Sequence, residues 1–402
     1  DGHDFIAAAR QAGASAALVS SLQEDALPQF VVADVITEFG RLAAYWREQS
    51  PCKVVAITGS NGKTTVKEML ASILSQSHRV IATTGNLNNN LGVPLTLFRL
   101  QADTDFAVIE MGANHLGEIA ELVTIAQPNV AMINNVGAAH IEGFGSLEGV
   151  ATAKGEIFSH LPEDGVGIVN ADMPYLSQWQ RILGQHKMMT FSLEADADTK
   201  AIDCQSDVMA SHFMVKCDDI FHYIHLPLPG IHNVANALAA ITVCKALTIS
   251  GEDMAVGLAE IEGVQHRLQL RYGPANATLI DDTYNANPSS YQQAISTLKA
   301  FSGPHWLVLG DFGELGDDEE KIHSELGHQA KAAGIAEILT IGKNSQLASI
   351  AFGEGAQHFD DIAKLQKHLE ATLTEDVTCL IKGSRFMQLD KLADGLAKKG
   401  EE

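Results

Sequence analysis

The sequence predicts an α/β protein with mostly parallel sheets, in two successive units behind a smaller partial unit. Short apolar runs without polar alternation, such as residues 54–57, are typical of strands buried on both faces of a parallel sheet. Stretches with a helical apolar period lie between these runs, as in residues 64–74. The alternation restarts after residue 265, where a fresh set of strands begins, so we place a domain boundary there.

The predicted elements follow from the same two patterns along the chain. Before the boundary we expect helices and parallel strands in this order: helix 5–11, strands 16–19 and 30–32, helix 36–47, strand 54–57, helix 64–74, strand 106–109, helix 117–126, and strands 130–133 and 166–169. Between residues 201 and 228 apolar residues alternate, which predicts a small antiparallel insertion or edge, followed by a helix over 233–247. After the boundary, strands are predicted at 278–280, 306–309, 338–341 and 377–381.

Length and composition limit the classes of protein that need consideration. A chain of 402 residues predicts two or three domains at roughly 150 residues each. The 46% hydrophobic and 19% charged residues are ordinary for a globular protein. The 27 Lys and Arg against 50 Asp and Glu, a net charge of −23, argue against a nucleic-acid partner.

Cysteine usage and hydropathy give an expected location. The five cysteines are scattered without a C-x-x-C pair, which fits a reducing cytosol. No apolar run approaches the roughly 18–20 residues that a membrane span needs, so we expect a cytoplasmic protein without one. The sequence opens with Asp1-Gly2-His3, and we expect a chain that has lost its beginning.

A glycine loop between the strand at 54–57 and the helix at 64–74 carries the first chemical signal. Its glycines would let backbone N–H groups face phosphate oxygens, with Lys63 as a charge for the β- and γ-phosphates and Thr64 as a magnesium ligand. Only two residues separate the glycines, against four in the standard Walker pattern, so a simple glycine turn is the alternative. The loop comprises Thr58, Gly59, Ser60, Asn61, Gly62, Lys63, Thr64 and Thr65.

Further candidates follow the next two strands. Glu110 and His140 stand where open α/β sheets place ligands, and they could hold Mg²⁺ beside ATP phosphates. The alternative is a solvated strand terminus and an ordinary histidine. Lys154 lies on a predicted helix, where a surface lysine is the default interpretation.

The second α/β unit places polar clusters at three strand ends, which suggests a common rim. Because Asp, Asn, Gly and Pro are also the usual turn residues, each cluster has a purely structural alternative. The clusters contain Asp281, Asp282 and Asn287, then Asp311 and Glu314, and finally Lys382, Ser384 and Arg385.

Taken together, these motifs resemble the ATP-dependent Mur ligases of peptidoglycan precursor synthesis. The resemblance spans essentially the whole chain in motif order, and it departs at Phe312, where the family more usually has methionine. The matching segments, besides the glycine loop, are 85–89, 92–96, 110–112, 140–145, 153–157, 230–237, Arg267, 282–288, 310–316 and 382–385.

The resemblance implies a three-domain architecture and roles for these domains. Residues 1–48 would be the remnant of a uridine-nucleotide domain, residues 49–265 a P-loop ATP-binding domain, and residues 266–402 a Rossmann-like domain for an incoming dipeptide. It also implies ATP and two Mg²⁺ ions, with Lys154 carbamylated by CO₂ into a metal ligand.

The resemblance further implies individual roles. Lys63, Lys154, His140 and Arg267 would be catalytic, and Thr64, Glu110, His140 and Lys154 would hold metal. Asn233 and Asn236 would lie near the adenine, Arg267 at ATP phosphate and Asp282 near the ribose. Weaker substrate-binding candidates are Asn86, Asn88, Asn89, Asn287, Asp311, Glu314, Lys382, Ser384 and Arg385.

The implied activity is ATP-dependent amide ligation through an acyl phosphate, joining D-alanyl-D-alanine to a UDP-N-acetylmuramoyl-tripeptide, by a monomer. One alternative is another amide ligase of the superfamily, either a folylpolyglutamate synthase or the enzyme that adds a diamino acid. The sequence lacks the Asp-Asn-Pro-Arg motif usual in the latter. The other alternative is a non-catalytic nucleotide-binding module.

Overall fold

The computed structural model describes residues 1–138, 141–217 and 219–397. Within these residues the strands form three sheets, of two, nine and six strands in chain order. Short 3₁₀ helices cover Gly2–Phe5, Glu156–Phe158, Pro274–Asn276, Gly316–Asp318 and Arg385–Met387.

The front of the chain is a small α/β piece packed against the large sheet's helices. Strands β1 and β2 pair in parallel, and a buried Arg47 near the end of helix α2 donates to the carbonyl oxygen of Ala126 at 3.1 Å. This contact fastens α2 to the next unit. The elements are α1 (Ile6–Gln11), β1 (Ala17–Val19), β2 (Gln29–Val31) and α2 (Val35–Glu48).

The nine-stranded sheet runs in the order β11-β10-β9-β8-β7-β6-β3-β5-β4 within the described residues. Its pairs are parallel from β4 through β9, while β10 pairs antiparallel with both neighbours and forms an edge extension with β11. The predicted alternating segment is therefore an edge of this sheet. The strands are β3 (Lys53–Thr58), β4 (Val80–Ala82), β5 (Phe106–Glu110), β6 (Val130–Ile133), β7 (Val166–Asn170), β8 (Lys187–Ser192), β9 (Thr199–Ser206), β10 (Ser211–Cys217) and β11 (Ile220–Leu226).

Helices cover both faces of this sheet, as the uninterrupted apolar strands predict. Buried side chains form one core on each face, and α3 contributes Val66, Met69, Leu70 and Ile73 to one of them. The helices are α3 (Lys63–Leu74), α4 (Gly92–Leu97), α5 (Glu118–Ala126), α6 (Ile141–Phe144), α7 (Leu147–Gly155), α8 (Leu176–Leu183), α9 (Ile231–Ala246) and α10 (Gly251–Ala259).

The six-stranded sheet follows in the order β12-β13-β17-β14-β15-β16, parallel except for β12, and it has a core on each face. Its strands are β12 (Gln269–Tyr272), β13 (Thr278–Asp282), β14 (His305–Gly310), β15 (Glu337–Ile341), β16 (Ala356–Phe359) and β17 (Thr378–Lys382). Its helices are α11 (Pro288–Leu298), α12 (Glu319–Ala332), α13 (Ser345–Phe352), α14 (Ile362–Thr372) and α15 (Asp390–Leu396).

The predicted elements are present among the described residues. Four of the observed strands were not predicted from the sequence. Strands β4, β12 and β16 lie at sheet edges, and β8 begins with an exposed lysine. Edge strands are buried on fewer sides, so they lack the continuous apolar run that identifies a central strand.

Candidate active site

A cleft of about 1060 Å³ lies between the two large units at the carboxyl ends of β3, β5 and β6. Residue Arg267, in the connection between the units, lines both this cleft and a second cavity of about 670 Å³. The cleft brings together most of the sequence-predicted site residues: Ser60, Asn61, Gly62, Lys63, Thr65, Asn86, Asn88, Asn89, Glu110, Lys154, Asn233, Asn236, Arg267, Asp282, Asn287, Glu314 and Lys382. Thr64 and Arg385 line the second cavity instead.

The glycine loop is built so that its backbone can face a ligand. The Thr58 hydroxyl donates to the carbonyl oxygen of Met111 at 2.9 Å, which anchors the start of the loop beside β5. Gly62 has φ +77°, and a Cβ there would lie 2.4 Å from Oδ1 of Asn236. Only glycine fits this turn, because it tolerates the left-handed conformation and leaves room for the asparagine.

The loop after β6 holds the glycine loop in place through hydrogen bonds, a role that was not predicted from the sequence. The Asn61 amide N–H donates to Oδ1 of Asn135 at 2.9 Å, and both Asn134 and Asn135 donate to the carbonyl oxygen of Asn61 at 3.0 Å. The Ser60 hydroxyl donates to the carbonyl oxygen of Gly137 at 3.1 Å. A pair of asparagines directly after a strand was the available signal.

Lys63 turns back over the loop, with its Nζ donating to the carbonyl oxygen of Gly59 at 2.7 Å. Burial lowers the pKa of Lys63, the carboxylate of Glu110 opposes that shift, and the guanidinium of Arg267 adds to it. A cation held above a curled glycine loop is the arrangement that phosphate oxygens require.

Glu110 and Thr64 form a set of hard oxygen donors beside this lysine. The Thr64 hydroxyl donates to Glu110 Oε2 at 2.8 Å, and Asn88 donates to Glu110 Oε1 at 2.8 Å. Glu110 is only 2% exposed. Buried carboxylate and hydroxyl oxygens on one side of a phosphate loop fit Mg²⁺, which prefers oxygen ligands.

Lys154, near the end of α7, is buried, so the surface interpretation of this residue is wrong. It is 3% exposed, and no described residue accepts a hydrogen bond from its ammonium or pairs with it. Burial lowers the pKa of Lys154 well below its usual value, and the charge of Lys63 lowers it further. Burial therefore disfavours the charged ammonium at this position. The other predicted metal ligand on this side, His140, lies outside the described residues.

Arg267 joins the second unit to the phosphate loop. Its Nη2 donates to the Thr64 hydroxyl at 3.0 Å, and its guanidinium lies 4.1 Å from the ring centroid of Tyr284. Its Nε is buried without a hydrogen-bond partner. The preceding residue, His266, has φ +61° and is held to Oδ2 of Asp281 through Nδ1 at 2.9 Å. Arg267 therefore has a fixed position and a donor left for a ligand.

Asn233 and Asn236 lie near the start of α9, and Asn236 approaches Gly62 of the glycine loop. Asn236 Oδ1 accepts from Asn134 at 2.8 Å, and Asn233 donates to the carbonyl oxygen of Pro229 at 2.8 Å. Beside them, burial lowers the pKa of His232 to about 4, although Asp282 opposes the shift. His232 was not selected from the sequence, and its signal was its position next to Asn233.

The rim of the six-stranded sheet satisfies most of its polar groups internally. Asp282 pairs with the buried ammonium of Lys382. Asp311 Oδ1 accepts from the amides of Asn344 and Ser345 at 3.1 and 2.7 Å, at the start of α13. Two other candidates make contacts within the protein: the Ser384 hydroxyl accepts from the Gly313 amide at 3.0 Å, and Arg385 donates to Asp390 at 2.8 Å. Glu314, which has φ +61°, lines the cleft.

Asn287 contacts the glycine loop directly. It caps α11, and its Nδ2 donates to Asn61 Oδ1 at 2.9 Å, while Asn61 Nδ2 donates to the Ser289 hydroxyl at 3.2 Å. The geometry thus places Asn287 on the side of the cleft formed by the glycine loop. Among the remaining asparagines, Asn89 Oδ1 accepts from the Gly92 amide at α4, and Asn86 is exposed.

Comparison with known proteins accounts for this arrangement. The family model described as "Mur ligase middle domain" matches residues 57–244, and "Mur ligase, glutamate ligase domain" matches residues 266–385. A UDP-N-acetylmuramoyl-tripeptide–D-alanyl-D-alanine ligase of Escherichia coli K12 is 44% identical over all of this chain and 89% of the relative. The chain belongs to the Mur ligase family. The recognition from motifs and the predicted fold class are therefore confirmed.

Solved structures agree with this membership of the Mur ligase family. MurF from Acinetobacter baumannii superposes with a TM-score of 0.92 at 36% identity, covering 99% of this chain and 88% of that one. MurF from Thermotoga maritima in complex with ADP gives a TM-score of 0.88 at 28% identity, covering 98% and 91%. A folylpolyglutamate synthase of Mycobacterium tuberculosis, at 16% identity and TM-score 0.68, shows only a shared fold.

In the described part of the chain, no helix is both long and apolar enough to cross a membrane.

Proposed function

We propose that this Mur ligase is an ATP-dependent, ADP-forming amide ligase that joins D-alanyl-D-alanine to UDP-N-acetylmuramoyl-tripeptide in peptidoglycan precursor synthesis. The observation that carries the proposal is the convergence of Lys63, Glu110, Lys154 and Arg267 at one cleft. The 44% identical relative is named for this activity, and its similarity to this chain confirms the predicted function.

The reaction needs an activated carboxylate, because a free carboxylate is a poor electrophile. The terminal carboxylate of the tripeptide attacks the γ-phosphorus of ATP, the bond to the bridging oxygen breaks, and ADP leaves. The amine of D-alanyl-D-alanine then attacks the acyl carbonyl, loses a proton, and displaces phosphate. Both steps gather negative oxygens in a protein whose net charge is −23, so local cations are required.

This chain's residues provide those cations by position. Lys63 lies over the glycine loop and would hold the β- and γ-phosphates, while Arg267, with its unpartnered Nε, would hold a transferring phosphoryl oxygen. The stack of Arg267 on Tyr284 keeps its guanidinium oriented before the ligand arrives. Preorganised donors of this kind stabilise charge without reorganising during the reaction.

The metal requirement fits the oxygen donors at the loop. Thr64 and Glu110 would hold Mg²⁺, which neutralises phosphate charge when it is bound. Lys154 as an ammonium would repel a cation. We propose that Lys154 is carbamylated, which turns the amine into a carboxylate-like ligand for a second Mg²⁺. The lowered pKa of the buried amine supports this, because only the neutral form attacks CO₂ and burial shifts the amine towards that form.

The carbamate has a test of its own. Lys154→Ala should lose ligase activity and regain part of it with a short carboxylic acid in solution. Labelling with carbon-13 bicarbonate should give a carbamate carbonyl signal in the wild type that Lys154→Ala lacks. Full activity in the unrescued variant would contradict the proposal, as would an identical carbon spectrum.

The division of the chain and the substrate contacts complete the proposal. Residues 49–265 bind ATP, with Asn233 and Asn236 near the adenine and Asp282 near the ribose, and residues 266–402 bind the dipeptide. The two matched family domains and the ADP-bound relative from Thermotoga support this division. Assignment of residues 1–48 to the uridine nucleotide remains a prediction, as do the monomeric state and the cytoplasmic location.

The alternatives are separated by substrate-dependent ADP release. The proposed ligase should release ADP only when UDP-N-acetylmuramoyl-tripeptide is present, and form the amide only when D-alanyl-D-alanine is added. ADP release that responds to a diamino acid or to glutamate would instead favour the other superfamily ligases. ATP binding without any turnover would favour a nucleotide-binding module and overturn the proposal.

A further inference from the structure

Three side chains with metal-binding atoms meet on the solvent side of the antiparallel edge, outside the residues that line the cleft. His212 lies on β10, and Tyr223 and His225 lie on β11. His212 pairs directly with His225 across the ladder, and Tyr223 pairs with Met214. Because side chains alternate along a strand, all three project from the same face of the sheet.

Their polar atoms point at one another. The two Nδ1 atoms of His212 and His225 are 3.3 Å apart, and the Tyr223 hydroxyl oxygen is 2.7 Å from Nδ1 of His212. The two imidazole rings stack at a centroid distance of 4.9 Å. Polar atoms of Tyr223 and His225 on one strand therefore both approach Nδ1 of His212 on the next.

Nδ1 of His212 receives both of these polar contacts. In a neutral imidazole each ring nitrogen has either one proton or one lone pair. Nδ1 of His212 can therefore make one linear hydrogen bond, yet both Tyr223 and His225 approach it at hydrogen-bonding distance. The two contacts therefore compete for the same proton or lone pair, and at most one of them is a linear hydrogen bond.

A tetrahedral metal ion would match the separation of the two histidine nitrogens, and the Tyr223 oxygen, 2.7 Å from Nδ1 of His212, would move away by roughly 0.6 Å to join them. Two nitrogens at the usual Zn–N distance of about 2.0–2.1 Å from a tetrahedral zinc ion are separated by roughly 3.3–3.4 Å. The distance between the two Nδ1 atoms is 3.3 Å. Imidazole nitrogen suits zinc and copper rather than magnesium, so this is not a second site for the hard cation of the cleft.

The surroundings also favour a cation. The Asp207 carboxylate, in the turn that leads into β10, is held by the amides of Met209 and Ala210 at 2.7 and 2.9 Å, and it lies close enough to interact electrostatically with both imidazoles. Strand β9 bulges opposite this pair: its register shifts between His212 and Met214. Bulges commonly reorient side chains beside sites.

We propose that His212, His225 and the Tyr223 hydroxyl form a binding site for Zn²⁺ or a similar borderline divalent metal, with water completing the coordination. A second group, His266 with Asp281 and Asp394, has suitable atoms among the described residues. Its centre is already taken by Arg271, whose Nη1 lies 3.0 and 2.7 Å from the two carboxylates. The histidine pair has no such cation between its atoms.

Equilibrium dialysis of the full chain against Zn²⁺, with Mg²⁺ in large excess to occupy hard-cation sites, tests the proposal. His225→Ala and His212→Ala should each weaken one zinc site by about 100-fold or more, and Tyr223→Phe by about 10-fold. His328→Ala, which removes an exposed histidine on α12, should bind zinc as the wild type does. Equal zinc affinity in the wild type and His225→Ala would overturn the proposal.

Cobalt substitution gives an independent readout of geometry. Co²⁺ added to the wild type should produce the strong visible absorption of a tetrahedral ion, and His225→Ala should lose it. A weak, octahedral spectrum in the wild type would overturn the proposed coordination. Ligation with Mg·ATP should be unchanged in His225→Ala, because none of the three side chains lines the cleft.

Discussion

The two strand-end rims of this Mur ligase use similar residue types for different purposes. At the large sheet, burial lowers the pKa of Lys63 and of Lys154, no described carboxylate pairs with Lys154, and Arg267 leaves a buried Nε without a hydrogen-bond partner. At the smaller sheet, the carboxylates of Asp311 and Asp282 are occupied by α13 amides and by Lys382.

The difference gives a criterion that distinguishes a polar cluster that binds a ligand from one that only forms a turn. A polar cluster that satisfies its own backbone is part of the fold, whereas buried charges left without partners are kept for a ligand, since burying them otherwise costs free energy. By this criterion the chemical centre is the rim of the large sheet, where Lys63, Lys154 and Arg267 lie. Asp311 and Ser384 belong to the fold that supports this rim.

Lys63→Ala should lower ligase turnover by about 100-fold or more while leaving the unfolding temperature near that of the wild type. Its charge acts on phosphate rather than on packing, and the loss of one contact that stabilises a transition state has this magnitude. Steady-state kinetics and thermal unfolding measure both. Lys53→Ala, at the exposed start of β3, the strand that leads into the glycine loop, is the control, and near-normal turnover in Lys63→Ala would contradict the site.

Lys154→Met should abolish ligation and yet raise stability by about 1–3 kcal/mol in buffer free of CO₂ and Mg²⁺, because it removes a buried polar group without a described partner. The folded-state pKa of Lys154 is lowered, so the unfolded state binds the proton more tightly and the wild type gains stability as pH rises toward 10.5.

The advantage of Lys154→Met should therefore be largest near neutral pH and shrink as the pH approaches 10. Denaturant unfolding across this range measures it. Lys187→Met, at an exposed lysine that begins β8, should show no such trend. A variant less stable than the wild type at pH 7 would mean that the folded protein pairs this ammonium after all.

Asp311→Ala should lower the free energy of unfolding by about 1–2 kcal/mol, since two amides at the start of α13 lose their acceptor. Turnover per folded molecule should remain close to that of the wild type. Asp361→Ala removes the exposed cap of α14 and should cost less, because water replaces its carboxylate. A large loss of turnover in Asp311→Ala would move Asp311 into the active site.

Ser289→Ala should have the smallest effect. It removes the hydroxyl that accepts from Asn61 at 3.2 Å, the weaker of the two contacts between α11 and the glycine loop. The KM for ATP should rise about twofold, which corresponds to the ~0.5 kcal/mol of a weak hydrogen bond. Ser302→Ala, at an exposed serine beyond the same helix, is the control. A tenfold change would show that this contact controls nucleotide binding.

Much of the protein could be predicted from local sequence signals. Continuous apolar runs are sufficient to identify central strands, and a glycine loop between a strand and a helix identifies a phosphate site, because both depend on neighbours in the chain. Glu110 was selected in the same way, as the residue that directly follows a predicted strand, and the structure places it in the cleft. The motifs in order were sufficient for the family and for the function it implies.

Only the tertiary structure decided which polar residues are free for chemistry. The sequence shows a lysine at position 154, but its burial depends on side chains from other elements, as does the effect of Lys63 on its pKa. The support of the glycine loop by Asn134 and Asn287 joins residues 73 and 226 positions apart in the chain. Such contacts leave no local pattern, because sequence spacing carries no information on distance between separately folded loops.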